Sequence, residues 1–272
     1  MTLDVVVFGA GFTGGRVCQA AARRGLSALG VVRSEDSAQG LRALGISATT
    51  DGALDVARDH VDRRTHAVVT FPPSSGVDAQ LAPLLANARA VSYLSTTGVY
   101  EDIEGVVDDT TPLPAVPSPK YAAVLAAEGA YRAVGAAVLR SPGIYGPERG
   151  IHVRLLRGDF KLSGDGSRYG SRIHVEDLAE LLLASAATPG ETFVVGDLLP
   201  CPQREMVEWL CQRLAIPFPA SAPLDQVHET LRRNRRVDSS RALQRLAVTL
   251  MYPTYRTAFT QSSALGPHPS RT

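Results

Sequence analysis

The chain has 272 residues, 44% hydrophobic and 20% charged, which is enough apolar mass for one large α/β domain or two modest ones. Its formal net charge of +1, carried almost wholly by arginine because Lys120 and Lys161 are the only lysines, gives no footprint for nucleic acid. No apolar stretch has the length of a membrane span, Cys18, Cys201 and Cys211 lack metal-ligand spacing, and the opening MTLDVVVFGAG has no secretory leader, so a cytoplasmic protein without a metal is expected.

Val5 to Phe8 is a compact β-branched run, and Gly14 to Arg24 follows as a helix closed by Gly25. Leu29 to Arg33 predicts a second strand, Ser37 to Leu44 a second helix, and Ile46 to Thr49 a short third strand. Ala67 to Phe71, Val91 to Ser95 and Ala137 to Arg140 repeat the strand type. Helical patterns at Leu54 to Val61, Val77 to Ala86 and Tyr121 to Val134 separate them. Strands apolar on both faces and joined by helices predict an α/β fold with a doubly wound parallel sheet of the Rossmann type.

Beyond Tyr145 the turns GPERG and SGDGSRYGS interrupt shorter elements. A helix at Glu176 to Ala186, a strand at Thr192 to Val195, and helices at Glu205 to Leu214 and Asp225 to Arg232 are expected there. Residues 1–146 thus read as a dinucleotide-binding core, and 147–261 as a small C-terminal α/β substrate lobe with elements returning to the core. Residues 262–272, rich in Ser, Pro and Gly, read as a disordered tail.

Gly9-Ala10-Gly11-Phe12-Thr13-Gly14 is a G-x-G-x-x-G placed between the first strand and first helix. Its glycines permit a tight turn and close approach of backbone to a pyrophosphate, while Phe12 and Thr13 open the helix whose free N–H groups meet the phosphates. Without a ligand, the same turn would only pack the helix tightly. The second strand ends Val31-Val32-Arg33-Ser34, with no acid before Glu35. Arg33 and Ser34 suit a 2′-phosphate, so NADP is favoured and NAD remains possible. Arg33 as a solvated residue, or stacked on adenine, is the alternative.

The residues resemble the short-chain dehydrogenase/reductase superfamily, in its extended and atypical branch of NAD-dependent epimerase/dehydratase-like proteins. The resemblance spans GAGFTGG, SYLSTTGVYED, LRSPGIYGPERG, SRIHVEDLAELLL and NRRVDSSRALQRLAV with YPTYRTAF, in that order. It implies a reaction centre made of a Ser or Thr, a Tyr, and a Lys four residues after the Tyr. The hydroxyl residue maps to Thr96, four before Tyr100, and the tyrosine to Tyr121. The lysine position then holds Leu125, or Val124 if one residue is deleted. An unassisted tyrosine titrates near ~10, so the missing lysine harms oxidation more than reduction. Lys120 can replace it only if the helix begins at or after Tyr121. If the helix is instead aligned backwards from Glu128, Lys120 itself takes the tyrosine position.

The resemblance further implies that Phe71-Pro72-Pro73 flanks the cofactor ribose and pyrophosphate, and that Pro142, Gly143 and Ile144 border the nicotinamide. A strand-ending proline pair explains the first equally well. His174, His152, Tyr145 and Tyr255 read as packing groups, or else as residues that face the substrate cleft, and the Arg232 to Arg236 run reads as a solvated helix end or an anion anchor. Two functions stand: a reductase or epimerase-like enzyme acting on a small carbonyl or hydroxyl compound, as a monomer or homodimer, and a cofactor-binding sensor whose catalytic centre has decayed.

Overall fold

The computed structural model describes residues 3–73 and 76–260. The tail at 262–272 lies outside the described residues. In chain order, β1 (Val5–Phe8), β2 (Ala28–Val31), β3 (Ser47–Thr49), β4 (His66–Val69) and β5 (Ala90–Thr96) alternate with α1 (Phe12–Arg23), α2 (Glu35–Ala43), α3 (Ala53–His60) and α4 (Val77–Leu84). Then come β6 (Gly105–Val107), α5 (Pro119–Arg132), β7 (Ala137–Ser141), β8 (Gly143–Tyr145) and α6 (Ile151–Arg157). Next are β9 (Leu162–Ser163), β10 (Tyr169–Gly170), β11 (Arg172–His174), α7 (Val175–Ala184), β12 (Thr192–Val194), β13 (Cys201–Pro202) and α8 (Gln203–Leu214). The chain continues through β14 (Ser221–Ala222), α9 (Glu229–Arg232), β15 (Arg235–Val237), α10 (Ser240–Leu246) and α11 (Tyr255–Thr260).

Seven strands make one parallel sheet in the order β12-β7-β5-β4-β1-β2-β3. Val5, Val6, Val7 and Phe8 are all buried, because helices cover both faces of the sheet. On one face α1, α2, α7 and α10 enclose Val17, Leu41, Leu178 and Leu246. On the other, α3, α4 and α5 enclose Val56, Leu81 and Tyr131. β12, from the second half of the chain, runs beside β7 with Phe193 opposite Leu139. A third apolar cluster, around Phe160, Met206, Leu210 and Phe259, belongs to the later elements. The sheet order reverses between β1 and β4, which places the glycine turn after β1 at the switch point where such sheets hold ligands.

Of the boundaries that differ from the sequence expectation, three bear on the site. β2 stops at Val31 rather than Arg33, because Ser34 already caps α2 by accepting from the Ser37 N–H at 3.3 Å. α5 starts at Pro119 rather than Tyr121, since the fixed φ of proline suits the first helical position. The helix expected over Asp225 to Arg232 is a 3₁₀ turn at Leu224–Gln226 followed by α9. Between them Val227 is extended and the His228 ring accepts from the Thr230 N–H at 3.3 Å, restarting the helix.

Candidate active site

The glycine turn is built by steric necessity. Gly9 has φ +90°, and a Cβ there would lie 2.8 Å from the Phe71 nitrogen. A Cβ on Gly14 would lie 2.6 Å from the Gly9 carbonyl oxygen and 2.6 Å from Thr70 Oγ1. Phe71, which leads into Pro72-Pro73, is therefore held against the turn, with Thr70 Oγ1 donating to the Gly9 carbonyl at 2.8 Å. Gly11 precedes α1 without a side-chain cap, and no acid stands in the first turn. The first N–H groups of α1, at Phe12, Thr13 and Gly14, are thus open to an anion, with the positive end of the helix dipole behind them. We expect Gly14→Ala to weaken dinucleotide binding tenfold or more, read by calorimetric titration. Unchanged affinity would show that the turn only packs the helix.

At the end of β2, Arg33 and Ser34 are exposed. Glu35, the first acid beyond them, is turned to Arg42 at 2.5 Å. Arg33 has no ion pair among the described residues.

Thr96 ends β5, and its Oγ1 accepts from the Gly98 N–H at 3.0 Å. Tyr121, 5% exposed, lies in the notch that Gly98 leaves: a Cβ on Gly98 would sit 2.9 Å from the phenol oxygen. The fold therefore brings together Thr96 and Tyr121, 25 positions apart in the chain. Leu125 and Val124 do not reach the phenol as a lysine would. They pack with Val99, Tyr100 and Val237 in an apolar cluster that includes the Tyr121 ring.

Lys120 and Tyr121 both lie within the first turn of α5, so the condition for Lys120 to stand in directly, a helix starting at or after Tyr121, is not met. Instead the two side chains meet through a third. Glu229, on α9, accepts from Lys120 Nζ and from the Tyr121 hydroxyl, the latter at 3.1 Å, through the same Oε1. The hydrogen bond from Lys120 is the main cause that holds the Glu229 carboxyl below its ordinary range and raises Lys120. Arg233 lies 5.9 Å from the centre of the Tyr121 ring and pairs with Asp102 at 2.7 Å. Arg235 is buried and donates to the Thr97 and Glu101 carbonyls. Of the Arg232 to Arg236 run, these two enter the site. Glu229 had no signal in the sequence, since nothing local marks one acid on a four-residue helix as a partner of a tyrosine 108 positions away.

Beneath the site, Glu128 receives Arg140 at 2.7 Å and Ser95 Oγ at 2.6 Å, while Arg140 also donates to the Tyr100 hydroxyl at 3.1 Å. Burial works against the charge on Arg140, but Glu128 more than offsets it and raises the guanidinium above its ordinary range.

Gly143 and Ile144 line a cavity of about 480 Å³ that continues past Arg149, Arg172, Met206 and Arg233. Arg149 also covers the Phe12 ring, 5.4 Å from its centre, which joins the cavity wall to the glycine turn. Pro142 is half-buried between β7 and β8. His174 and Tyr145 pack edge to face at 5.1 Å, His152 packs on Phe259 at 4.7 Å, and Tyr255 is fully buried. Among the described residues there is no cluster of His, Cys, Asp and Glu that could hold a metal, and no helix long and apolar enough to cross a membrane.

The switch-point turn, the paired Thr96 and Tyr121 and the adjoining cavity define an α/β protein of the Rossmann type with a candidate site at its switch point. No protein-family profile and no curated protein matches the sequence. A solved structure of a conserved protein of unknown function from Silicibacter pomeroyi is 31% identical, with a TM-score of 0.80 over 95% of this chain and 97% of that one. MoeE5 in complex with UDP-glucose and NAD is 19% identical, with a TM-score of 0.76 over 96% and 97%. The UDP-glucuronic acid 4-epimerase of Bacillus cereus in complex with NAD is 16% identical, with a TM-score of 0.75 over 96% and 95%. The chain belongs to the same family as the Silicibacter protein, and it has the fold of MoeE5 and of the Bacillus cereus epimerase.

Proposed function

We propose that the protein binds a nicotinamide dinucleotide, NADP in preference to NAD, and reduces a carbonyl group of a small molecule, with Tyr121 as proton donor. The observation that carries the reading is the Tyr121 hydroxyl seated in the Gly98 notch beside Thr96, at the end of the strand two places from the glycine turn. The residues of the turn fit the cofactor: Gly9 and Gly14 leave no room for side chains, and the start of α1 is uncapped. MoeE5 and the Bacillus cereus epimerase are described in complex with NAD, which supports a nicotinamide cofactor here. Pro142, Gly143 and Ile144 stand where the nicotinamide end would lie, and Phe71-Pro72-Pro73 beside the turn.

A bound nicotinamide cofactor would supply the two electrons and one hydrogen, as hydride, that go to the carbonyl carbon. The chain's own part is to hold the substrate oxygen between Thr96 Oγ1 and the Tyr121 hydroxyl and to deliver the phenolic proton to it. A phenol is protonated at neutral pH, so this direction does not depend on the absent lysine. The preference for NADP rests on Arg33, exposed and without an acid partner among the described residues, and on Glu35 being turned to Arg42.

The experiment is a titration with NADPH and NADH, followed by NADPH consumption across a panel of small carbonyl compounds. NADPH is expected to bind about tenfold tighter than NADH, with Arg33→Ala removing that margin and leaving NADH unchanged. Saturable binding of neither nucleotide ends the proposal. Leu125, packed in an apolar cluster at the lysine position, supports a second reading, a cofactor-binding module without turnover. It predicts tight NADPH binding and no consumption with any carbonyl.

A further inference from the structure

Tyr121 does not stand in a neutral environment. Three cations surround it: Lys120, whose Nζ is 5.2 Å from the ring centre, Arg233 at 5.9 Å, and Arg235, within electrostatic reach. The negative charge opposed to them is thin. Asp102, the partner of Arg233, is fully exposed and therefore screened. Among the described residues Arg235 donates to backbone carbonyls alone, and burial, with Arg233 beside it, pushes its guanidinium down to about 10. The balancing anion is Glu229, whose carboxylate takes both the Tyr121 hydroxyl and Lys120. It is carried by a helix of four residues whose neighbours His228, Thr230 and Leu231 line the 480 Å³ cavity. A proton donor whose hydroxyl is already given to an internal carboxylate cannot serve a substrate until that carboxylate leaves. When it leaves, Lys120 loses its carboxylate partner, and Arg233 keeps only the solvent-exposed Asp102.

We infer that Glu229 is a placeholder for the substrate, and that the substrate is an oxo or hydroxy acid. Its carbonyl oxygen takes the Tyr121 hydroxyl, and its carboxylate takes Lys120 and Arg233. The inference rests on Tyr121 as the proton donor, but its test needs neither cofactor nor turnover.

Oxamate, which places a carbonyl beside a carboxylate, is the probe, and its neutral diamide, oxamide, is the control. Both are titrated by calorimetry and thermal shift at constant ionic strength, with phosphate as a second anion. Glu229→Ala is expected to bind oxamate saturably and at least about tenfold tighter than the wild type, because the internal competitor is gone. Adding Lys120→Met in that background is expected to return the affinity to the wild-type level. Should Glu229→Ala fail to fold, Glu229→Gln, which keeps the bulk and removes the charge, is put through the same titrations. The inference is overturned if the variant gains nothing for oxamate, if oxamide gains equally, if phosphate binds more tightly than oxamate, or if Lys120→Met leaves the gain intact. A failed reductase reading would show separately, as NADPH consumption that never appears.

Discussion

Tyr121→Phe is expected to lower NADPH-dependent turnover by about a hundredfold or more while leaving NADPH affinity within about twofold of the wild type. The substitution removes one oxygen. The ring stays in the Gly98 notch and in the cluster with Val99, Val124 and Val237, so the fold has no reason to respond. What goes is the donor to the substrate oxygen and the hydrogen bond to Glu229. The Glu229 carboxylate keeps Lys120, so the change leaves no buried charge unpaired. Stopped assays with a carbonyl substrate found in the panel, beside calorimetric titration of NADPH, separate the two quantities. Equal turnover in wild type and variant would remove Tyr121 from the chemistry and return the role to Lys120, the other residue that the helix alignment allowed. A parallel loss of NADPH affinity would instead mean that the phenol shapes the cofactor site.

The core of the fold was legible because it is local. Val5 to Phe8, the glycine spacing at 9, 11 and 14, and the alternation of apolar runs with helical patterns each carry their meaning within a few residues, and the parallel sheet follows from them. Motif counting points to Thr96 and Tyr121, and the Gly98 notch shows why the two lie near each other: the glycine leaves the space that the ring fills. Two things were not legible. The start of α5 turned on Pro119, whose helix-opening role competes with its equally good role in a turn. Apart from Lys120, the charges around the phenol come from α9, β15 and the link between them, over a hundred positions away, and their placement follows from the broken helix at Val227 and His228. No periodicity announces a contact of that kind. The arginine run at 232–236 looked like a solvated helix end because its strand, β15, has only three residues, too few to show alternation.

The largest loss of stability is expected from Glu128→Ala. Glu128 is completely buried and Arg140 nearly so, with side-chain exposures of 0% and 6%. Removing one partner leaves a guanidinium in the interior whose only remaining side-chain bond among the described residues is to the Tyr100 hydroxyl, which costs about 3–5 kcal/mol. In a chain of this size that is a fall in melting temperature of roughly 6–20 °C, measurable by calorimetry or urea unfolding. Ser95 would lose its acceptor as well. A loss below about 1 kcal/mol would mean that water reaches the pair and the interior there is not dry. The pair also has a task that stability alone does not measure. Glu128 lies on α5, which carries Tyr121; Ser95 precedes Thr96 on β5; Arg140 lies on β7, and Tyr100 closes the 3₁₀ turn Thr97–Tyr100. One carboxylate thus ties together the elements that set the spacing between Thr96 and the phenol. Replacing both charges at once, Glu128→Leu with Arg140→Met, removes the unpaired ion and is expected to recover most of the lost stability, because buried pairs add little net over apolar packing. The double variant is nonetheless expected to reduce at least tenfold more slowly than the wild type, since leucine and methionine give α5 no side-chain hydrogen bond by which to hold its place on β5 and β7, whose own register the sheet ladder keeps. Full recovery of both stability and rate would confine the pair to filling space.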